Sequence, residues 1–104
     1  MKVLAVTACP SGVAHTYMAA EAIAKACKEK GHECKVETQG SIGIENAITE
    51  EDVASADCII LTTDMPIKNV ERFEKLPKVK VKIGDAVKKS PAIILKIEKA
   101  MASR

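Results

Sequence analysis

The chain has 104 residues, 47% of them hydrophobic, which suits a single domain that buries about two-thirds of the surface of its unfolded chain. Its net charge is only +2, and with one Tyr, one Phe and no Trp it lacks the aromatic platform on which nucleic-acid bases stack. We therefore expect one domain over residues 1–104 and no nucleic-acid partner.

Cysteine spacing and the length of the apolar runs argue against two further classes of protein. The four cysteines lie far apart, without a C-x-x-C pair or the spacing of zinc ligands, so we expect neither a metal nor another cofactor. The apolar run at the start is too short for a secretion signal, and no run reaches the roughly 20 residues of a membrane-spanning helix. These observations predict a reduced, cytoplasmic protein that meets a membrane only through a partner.

The two parts of the chain differ in the sign of their charge. Residues 1–65 contain 5 Lys and Arg against 10 Asp and Glu, whereas residues 66–104 contain 11 against 4. This asymmetry either orients the domain towards a partner or reflects solvated lysines on an exposed strand and helix.

Strand patterns alternate with helical patterns along the whole chain. The strands are predicted near 2–8, 33–38, 57–63 and 78–83, and the helices near 16–30, 49–56, 67–75 and 85–102. Such alternation predicts β-α-β units and therefore a Rossmann-like, three-layer α/β/α domain with a four-stranded parallel sheet.

The character of each strand predicts its place in the sheet. The run 58–61 is continuously apolar, as in a central strand, whereas lysines alternate with apolar residues over 78–83, as on an edge. The expected order is 2-1-3-4, which changes direction beside strand 1. Ligands bind beyond the strand ends at such a switch point, here between Cys9 and the turn Asp64-Met65-Pro66.

Three short patterns predict where helices begin and end. Gly31 is placed to cap the end of the first helix. Thr49-Glu50-Glu51-Asp52 resembles a capping box that starts the second helix. Ser90-Pro91 combines an N-cap with a first-turn proline and is expected to open the last helix.

Cys9 stands apart from the other cysteines. Cys27, Cys34 and Cys58 lie on apolar faces or in apolar runs and are interpreted as small core residues. Cys9 directly follows strand 1 and precedes a turn that leads into an alanine-rich helix. The amide groups and dipole at a helix start stabilise both a thiolate and a bound phosphate, so Cys9 is the candidate nucleophile.

The loop after Cys9 is close to the C-x5-R-[S/T] loop of cysteine-dependent phosphatases, but it carries His15 at the arginine position. An imidazole that titrates near neutrality grips free phosphoesters less well than a permanently charged guanidinium. The substitution favours passing on a phosphoryl group that another protein delivers. Cys9 would then attack phosphorus in line while the loop amides stabilise the charge on the other oxygens.

The remaining loop residues have more than one possible role. Gly12 lets the backbone approach phosphate closely, and Ser11 can donate a hydroxyl proton. Thr16 is either a second hydroxyl donor or the N-cap of the helix. His15 is a phosphate ligand, an orienting residue or a solvated loop residue. Asp64 lies where phosphatases carry the acid that protonates the leaving group, but an Asp-x-Pro sequence is also common in turns.

The segment Thr7–Thr16 resembles the signature loop of fructose-type enzyme IIB domains of the bacterial sugar phosphotransferase system. Residues 35–41 and 57–64 match these domains in type and order, so the resemblance covers essentially the whole chain. It implies that Cys9 accepts phosphate from a phosphohistidine on enzyme IIA and passes it to a sugar imported through the membrane enzyme IIC. By position, the phosphate-binding loop comprises Pro10, Ser11, Gly12, Val13, Ala14, His15 and Thr16, and the rim comprises Gln39, Gly40 and Ser41.

The resemblance leaves some alternatives open. Ser11 stands where the family usually has Thr, but it keeps the hydroxyl. The chain is expected to be either a free-standing IIB protein or a domain of a longer polypeptide, and the default sugar is fructose or a similar one. Two other functions remain: a low-molecular-weight phosphatase or arsenate-reductase-like enzyme, and a non-catalytic interaction module.

Overall fold

The computed structural model describes residues 1–8, 13–40, 43–64 and 66–102. It is an α/β domain whose elements are the strands β1 (Lys2–Ala8), β2 (Glu33–Gly40), β3 (Gly43–Glu45), β4 (Cys58–Thr62) and β5 (Lys78–Val81), the helices α1 (Val13–Glu29), α2 (Glu50–Ser55) and α3 (Ile83–Ala102), and a 3-10 turn at Val70–Phe73. No helix in these ranges is long and apolar enough to cross a membrane.

The sheet has one strand more than the sequence predicts. Its order is β3-β2-β1-β4-β5, so the four predicted strands occupy the expected 2-1-3-4 order and run parallel. β3 corrects the prediction of a purely parallel sheet, because it pairs antiparallel with the end of β2. The positive φ angles of Gly43 (110°) and Asn46 (55°) mark the ends of this short strand.

Apolar side chains cover both faces of the sheet and create the three predicted layers. On one face the sheet packs against α1 and α3 through Val3, Ala5, Ile23, Ile60, Ile94 and Ile97. On the other face the buried cluster is Leu4, Val6, Ile48, Ile59, Leu61 and Phe73, with Val53 of α2 against it. β1 lies in the middle, and its residues from Val3 to Ala8 are all buried.

Two helix ends form as their sequences predict. Gly31 has a φ of 77°, and its N–H donates to the carbonyl of Lys28 while the N–H of His32 donates to that of Cys27. These two bonds are those of a Schellman C-cap. Thr49 and Asp52 exchange side-chain to backbone hydrogen bonds, which completes the capping box of α2.

The prediction of a helix near 67–75 is wrong. Only the 3-10 turn at Val70–Phe73 forms, after Asn69 adopts a left-handed conformation with a φ of 58°. Pro77 lies shortly beyond this turn and cannot donate a backbone hydrogen bond to extend it.

α3 joins two helical segments across a kink, and Ser90-Pro91 opens the second of them, so the predicted helix start is confirmed for that segment. α3 already begins at Ile83 and departs from helical geometry at Lys89, with φ −126° and ψ 21°. Pro91 has no N–H to donate to the carbonyl four residues earlier, and the hydroxyl of Ser90 donates to the carbonyl of Ala86.

Candidate active site at the end of strand β1

The candidate site lies where β1 ends, between the ends of β2 and β4. The predicted site residues Cys9, Pro10, Ser11 and Gly12 join β1 to α1 and fall outside the described residues, as do Ser41 and Met65. The neighbours of β1 are β2, reached through α1, and β4, reached through α2. Because α1 and α2 cover opposite faces, the end of β1 is the switch point that the strand order predicts.

Two threonine hydroxyls hold the ends of the β1–α1 connection. The backbone N–H of Ala8 donates to Oγ1 of Thr62 at 3.0 Å. The hydroxyl of Thr7 donates to the backbone carbonyl of Thr16 in the first turn of α1 at 3.1 Å. Both threonines are buried, so these bonds fix where the chain leaves the sheet and how α1 sits against β1.

The first turn of α1 presents the predicted loop residues in different environments. The helix begins at Val13, so Thr16 lies inside its first turn, and the N-cap interpretation of Thr16 is wrong. His15 is exposed, whereas Thr16 is fully buried, and its Oγ1 has no hydrogen-bond partner in the part of the chain that the structure describes. The N–H groups of a first helical turn, here including those of Val13 and Ala14, have no acceptor within the helix.

The predicted rim residues of β2 lie beside β1. Gln39 pairs in register with Ala8, and Gly40 pairs with Gly43 in the β2–β3 hairpin. Gln39 is buried, and its amide binds both backbone groups of Lys68, accepting from the N–H at 2.8 Å and donating to the carbonyl at 3.1 Å. Gln39 therefore attaches the segment after β4 to the end of β2.

A buried ion pair lies behind Gln39. The carboxylate of Glu37 is fully buried and accepts two hydrogen bonds from the guanidinium of Arg72, at 2.8 and 2.9 Å. The amide of Gln39 and the backbone N–H of Ile48 also donate to it. Burial raises the pKa of Glu37, but these hydrogen bonds outweigh it, so the pKa lies below its ordinary value. The pair connects β2 to the 3-10 turn.

Asp64 follows β4 at the same edge of the sheet. Its side chain is exposed, and Oδ1 accepts a hydrogen bond from the backbone N–H of Ile83 at 2.6 Å. Asp64 thus connects the end of β4 to the start of α3. This contact fits the interpretation of Asp64 as a turn residue and not as a catalytic acid.

The other three cysteines belong to one buried region on the α1–α3 face. Cys27 and Cys58 are buried there, as predicted, and the half-buried Cys34 packs against the same cluster. Burial raises the pKa of Cys58 to about 11. Cys27 and Cys34 share a hydrogen bond, which raises the pKa of Cys34 and lowers the pKa of Cys27. Within the described ranges, no group of His, Cys, Asp and Glu side chains suits a metal ion.

Three residues of this region escape prediction from the sequence. The hydroxyl of Tyr17 donates to Oε1 of Glu45 at 2.6 Å and so connects α1 to β3. This bond raises the pKa of Tyr17. Thr7 and Thr62 carry only a weak signal, since each is a hydroxyl residue at the end of a buried strand.

Comparison with known proteins identifies the family. A model for the IIB subunits of the PTS system, described as lactose/cellobiose specific, matches residues 4–99. The chain belongs to the PTS IIB family. It is 64% identical over 101 residues to the fructose-like EIIB component 2 of Escherichia coli K12, and this match covers 97% of the chain and 95% of that protein.

Solved structures of PTS proteins share the fold of this IIB chain. The solution structure of an enzyme IIB subunit from E. coli K12 matches with a TM-score of 0.92 and 43% identity. The match covers 98% of this chain and 94% of the E. coli chain. The crystal structure of a domain from a fructose-specific IIABC component of Borrelia burgdorferi matches with a TM-score of 0.86 and 48% identity, over 91% and 90% of the two chains. PTS IIB proteins are phosphotransferase subunits, so the chain is part of a transferase.

Thr62→Val is expected to destabilise this IIB chain and slow its phosphoryl transfer. The variant keeps the side-chain shape but leaves the buried N–H of Ala8 without its acceptor, at a cost of about 1–3 kcal/mol. A small displacement of the loop that follows can reduce the rate by up to about 100-fold. Urea unfolding and the rate of phosphate uptake measure the two effects.

Thr63→Val is the matched control for this prediction. Thr63 is exposed, and its hydroxyl donates to the carbonyl of Val81 in β5 and not to β1. Equal effects of the two substitutions would contradict the role given to Thr62.

Proposed function

We propose that this protein is the phosphoryl-transfer component of a fructose-type phosphotransferase system and that Cys9 carries the phosphoryl group. A phosphohistidine on enzyme IIA is the donor, and a sugar imported through the membrane enzyme IIC is the acceptor. The observation that carries the proposal concerns β1, a central strand that is buried from Val3 to Ala8 and ends at the switch point of the sheet. Cys9 is the next residue in the sequence, in a chain of the IIB family.

The proposed relay has two in-line displacements at phosphorus. In the first, the Cys9 thiolate attacks, the S–P bond forms, and the N–P bond to the donor histidine breaks with its electron pair left on nitrogen. In the second, a sugar hydroxyl attacks, an O–P bond forms, the S–P bond breaks to regenerate the thiolate, and the hydroxyl proton passes to solvent water. Both steps need stabilisation of the charge on the phosphoryl oxygens.

The residues around the β1–α1 connection suit that need. The first-turn amides of α1 and the positive end of its dipole face the connection, as in phosphate sites at helix starts. The buried hydroxyl of Thr16, which has no partner among the described residues, is a further donor, and the exposed His15 side chain can reach a delivered phosphoryl group. Ser11 and the backbone from Pro10 to Ala14 complete the proposed phosphate-binding loop, with Gln39, Gly40 and Ser41 at its rim.

The proposed sugar, partners and location follow from the relatives. A relative that is 64% identical is named a fructose-like EIIB component, and a structural neighbour is a domain of a fructose-specific IIABC component. Fructose or a similar sugar is therefore the proposed substrate. A relay between a IIA protein and a membrane IIC protein takes place in the cytoplasm, at the membrane surface.

A phosphatase function has less support. It would need an arginine where the chain has His15 and an acid free to protonate an alcohol leaving group. Asp64 instead accepts a hydrogen bond from the backbone of Ile83, and transfer from a phosphohistidine does not require such an acid.

Intact-mass analysis tests the proposal. The wild-type protein is incubated with a fructose-type IIA protein charged on its histidine, and separately with a phosphomonoester. One labile phosphoryl group that comes only from the phosphohistidine and maps to Cys9 is the expected result. Hydrolysis of the monoester without a trapped phosphate would favour the phosphatase, and phosphate on another residue would overturn the assignment of Cys9.

His15→Ala is expected to slow phosphoryl transfer without changing stability. The side chain is exposed, so its removal should change the free energy of unfolding by no more than about 0.5 kcal/mol. Loss of a positioned hydrogen-bond donor should lower the rate by roughly 10- to 100-fold. Rapid-quench measurement of phosphate uptake checks this, and an unchanged rate would make His15 a solvated loop residue.

A further inference from the structure

An open groove runs along the edge strand β5. It has a volume of about 510 Å³ and lies between β5 and α3. Half-buried apolar side chains lie along it, and lysines surround them; the lining includes Val79, Val81, Ile93, Lys82, Lys89 and Lys96. Asp85 is the acidic residue among its lining residues.

The groove borders backbone groups that the sheet leaves unpaired. β5 is the last strand of the sheet, so one of its edges faces solvent. The N–H of Ile59 donates to the carbonyl of Pro77 and that of Thr63 to Val81, which turns the odd-numbered residues of β5 towards β4. The N–H and carbonyl of Lys80 therefore point out from the open edge.

A second cavity flanks the opposite face of the same strand. Its volume is about 380 Å³, and it shares Lys80 and Thr63 with the groove. Ile67 and the exposed Val70 provide its apolar surface. A strand added beside β5 would thus find a recess for side chains on both of its faces, as β-strand addition requires.

The positive charge around this edge favours an acidic binding partner. Among the described residues, no ion pair involves Lys80, Lys82, Lys89 or Lys96. A second copy of this chain would bring the same lysines face to face, which like-charge repulsion disfavours. A lipid head group has no extended backbone that could pair with the N–H and carbonyl of Lys80, so a membrane surface would leave these groups unsatisfied.

We infer that the β5 edge binds an extended, acidic segment of a partner protein by strand addition. Main-chain hydrogen bonds to Lys80 fix its register. Successive side chains of a strand point to opposite faces, so its carboxylates pair with Lys89 and Lys96 on the α3 side, and its small apolar side chains enter the second cavity beside Val70. The inference rests on the open edge of β5 and the charges along it, so it does not depend on the proposed phosphoryl transfer.

Fluorescence anisotropy with a labelled peptide of alternating glutamate and valine tests this inference at low ionic strength. Lys89→Glu/Lys96→Glu should weaken binding by about tenfold or more, because two attractive charges become repulsive. The matched control Lys88→Glu/Lys99→Glu changes the net charge equally on the same helix but outside the groove, and should change affinity by less than about twofold.

A peptide N-methylated at every residue separates strand addition from simple charge attraction. It keeps every carboxylate but cannot donate to the β5 edge, so we expect its binding to be lost, while the parent peptide shifts the amide NMR resonance of Lys80. Equal losses in the two double variants, undiminished binding of the methylated peptide, or binding only to vesicles of anionic phosphatidylglycerol would each overturn the inference.

Discussion

Cys9→Ser is expected to reduce phosphoryl transfer to background while the protein remains folded. Serine has nearly the same size, but its hydroxyl is almost fully protonated at neutral pH and is a weak nucleophile without an adjacent base. Because the two side chains are nearly equal in size, we expect the variant to keep a single cooperative unfolding transition. Transfer from phosphorylated IIA, followed by intact mass, and urea unfolding together measure both properties.

Cys34→Ser is the control for this prediction. Cys34 is half-buried on β2 and packs on the α1–α3 face of the sheet, so its replacement should leave transfer intact. Phosphoryl transfer that survives in Cys9→Ser, or that disappears in Cys34→Ser, would contradict the assignment of Cys9 as the phosphorylated residue.

Arg72→Met is expected to cause the largest loss of stability. It removes two hydrogen bonds to the buried carboxylate of Glu37 and leaves that charge without its cationic partner. Breaking a buried ion pair in this way costs about 3–5 kcal/mol. The Arg72 side chain keeps 24% exposure, so we expect the lower part of this range at neutral pH, measured by urea unfolding.

The pH dependence of this loss has a definite sign. In the wild type the pKa of Glu37 is lowered, so its ionisation stabilises the fold above the unfolded-state pKa of about 4.3, and this contribution disappears as pH falls through the folded value. Without Arg72, burial should raise the pKa of Glu37, so the variant loses stability as pH rises. The difference between the two proteins should therefore shrink from pH 7 towards about pH 4.

Two further variants isolate the cause. Lys75→Met removes an exposed charge from the same segment and should change the free energy of unfolding by no more than about 0.5 kcal/mol. Glu37→Gln/Arg72→Met removes both charges, so the pH-dependent part of the change in the free energy of unfolding should disappear. A loss in Arg72→Met that is the same at every pH would show that Glu37 is not left charged and buried.

The parallel strands were predictable because each carries a long local signal. The continuous apolar run of β4 and the alternating lysines of β5 specify a central and an edge strand, and the parallel order follows. β3 has only three residues, all exposed, and forms because the chain reverses beside β2. A local pattern does not contain that tertiary pairing.

The site was predictable in position but not in its supporting contacts. The sequence places Cys9 and the following loop at the switch point, whereas Glu37 alternates with apolar residues as a solvent-facing residue would. It is buried because Arg72, 35 positions away, closes over it. Thr62 is likewise joined to Ala8 across 54 positions. Such contacts depend on the assembled sheet and leave little trace in either segment alone.

The burial of β1 decides which part of the molecule opens last. Strands paired on both sides and covered by helices exchange their amide hydrogens with solvent only through the largest opening events, whereas edges and helix ends exchange through small ones. β1 is buried from Val3 to Ala8 and paired on both sides, so it belongs to the slowly exchanging strands. β3 and β5 are edge strands and exchange faster. The connection that begins at Cys9 is thus anchored to the slowest-exchanging element, so local opening of the sheet edges leaves its attachment in place.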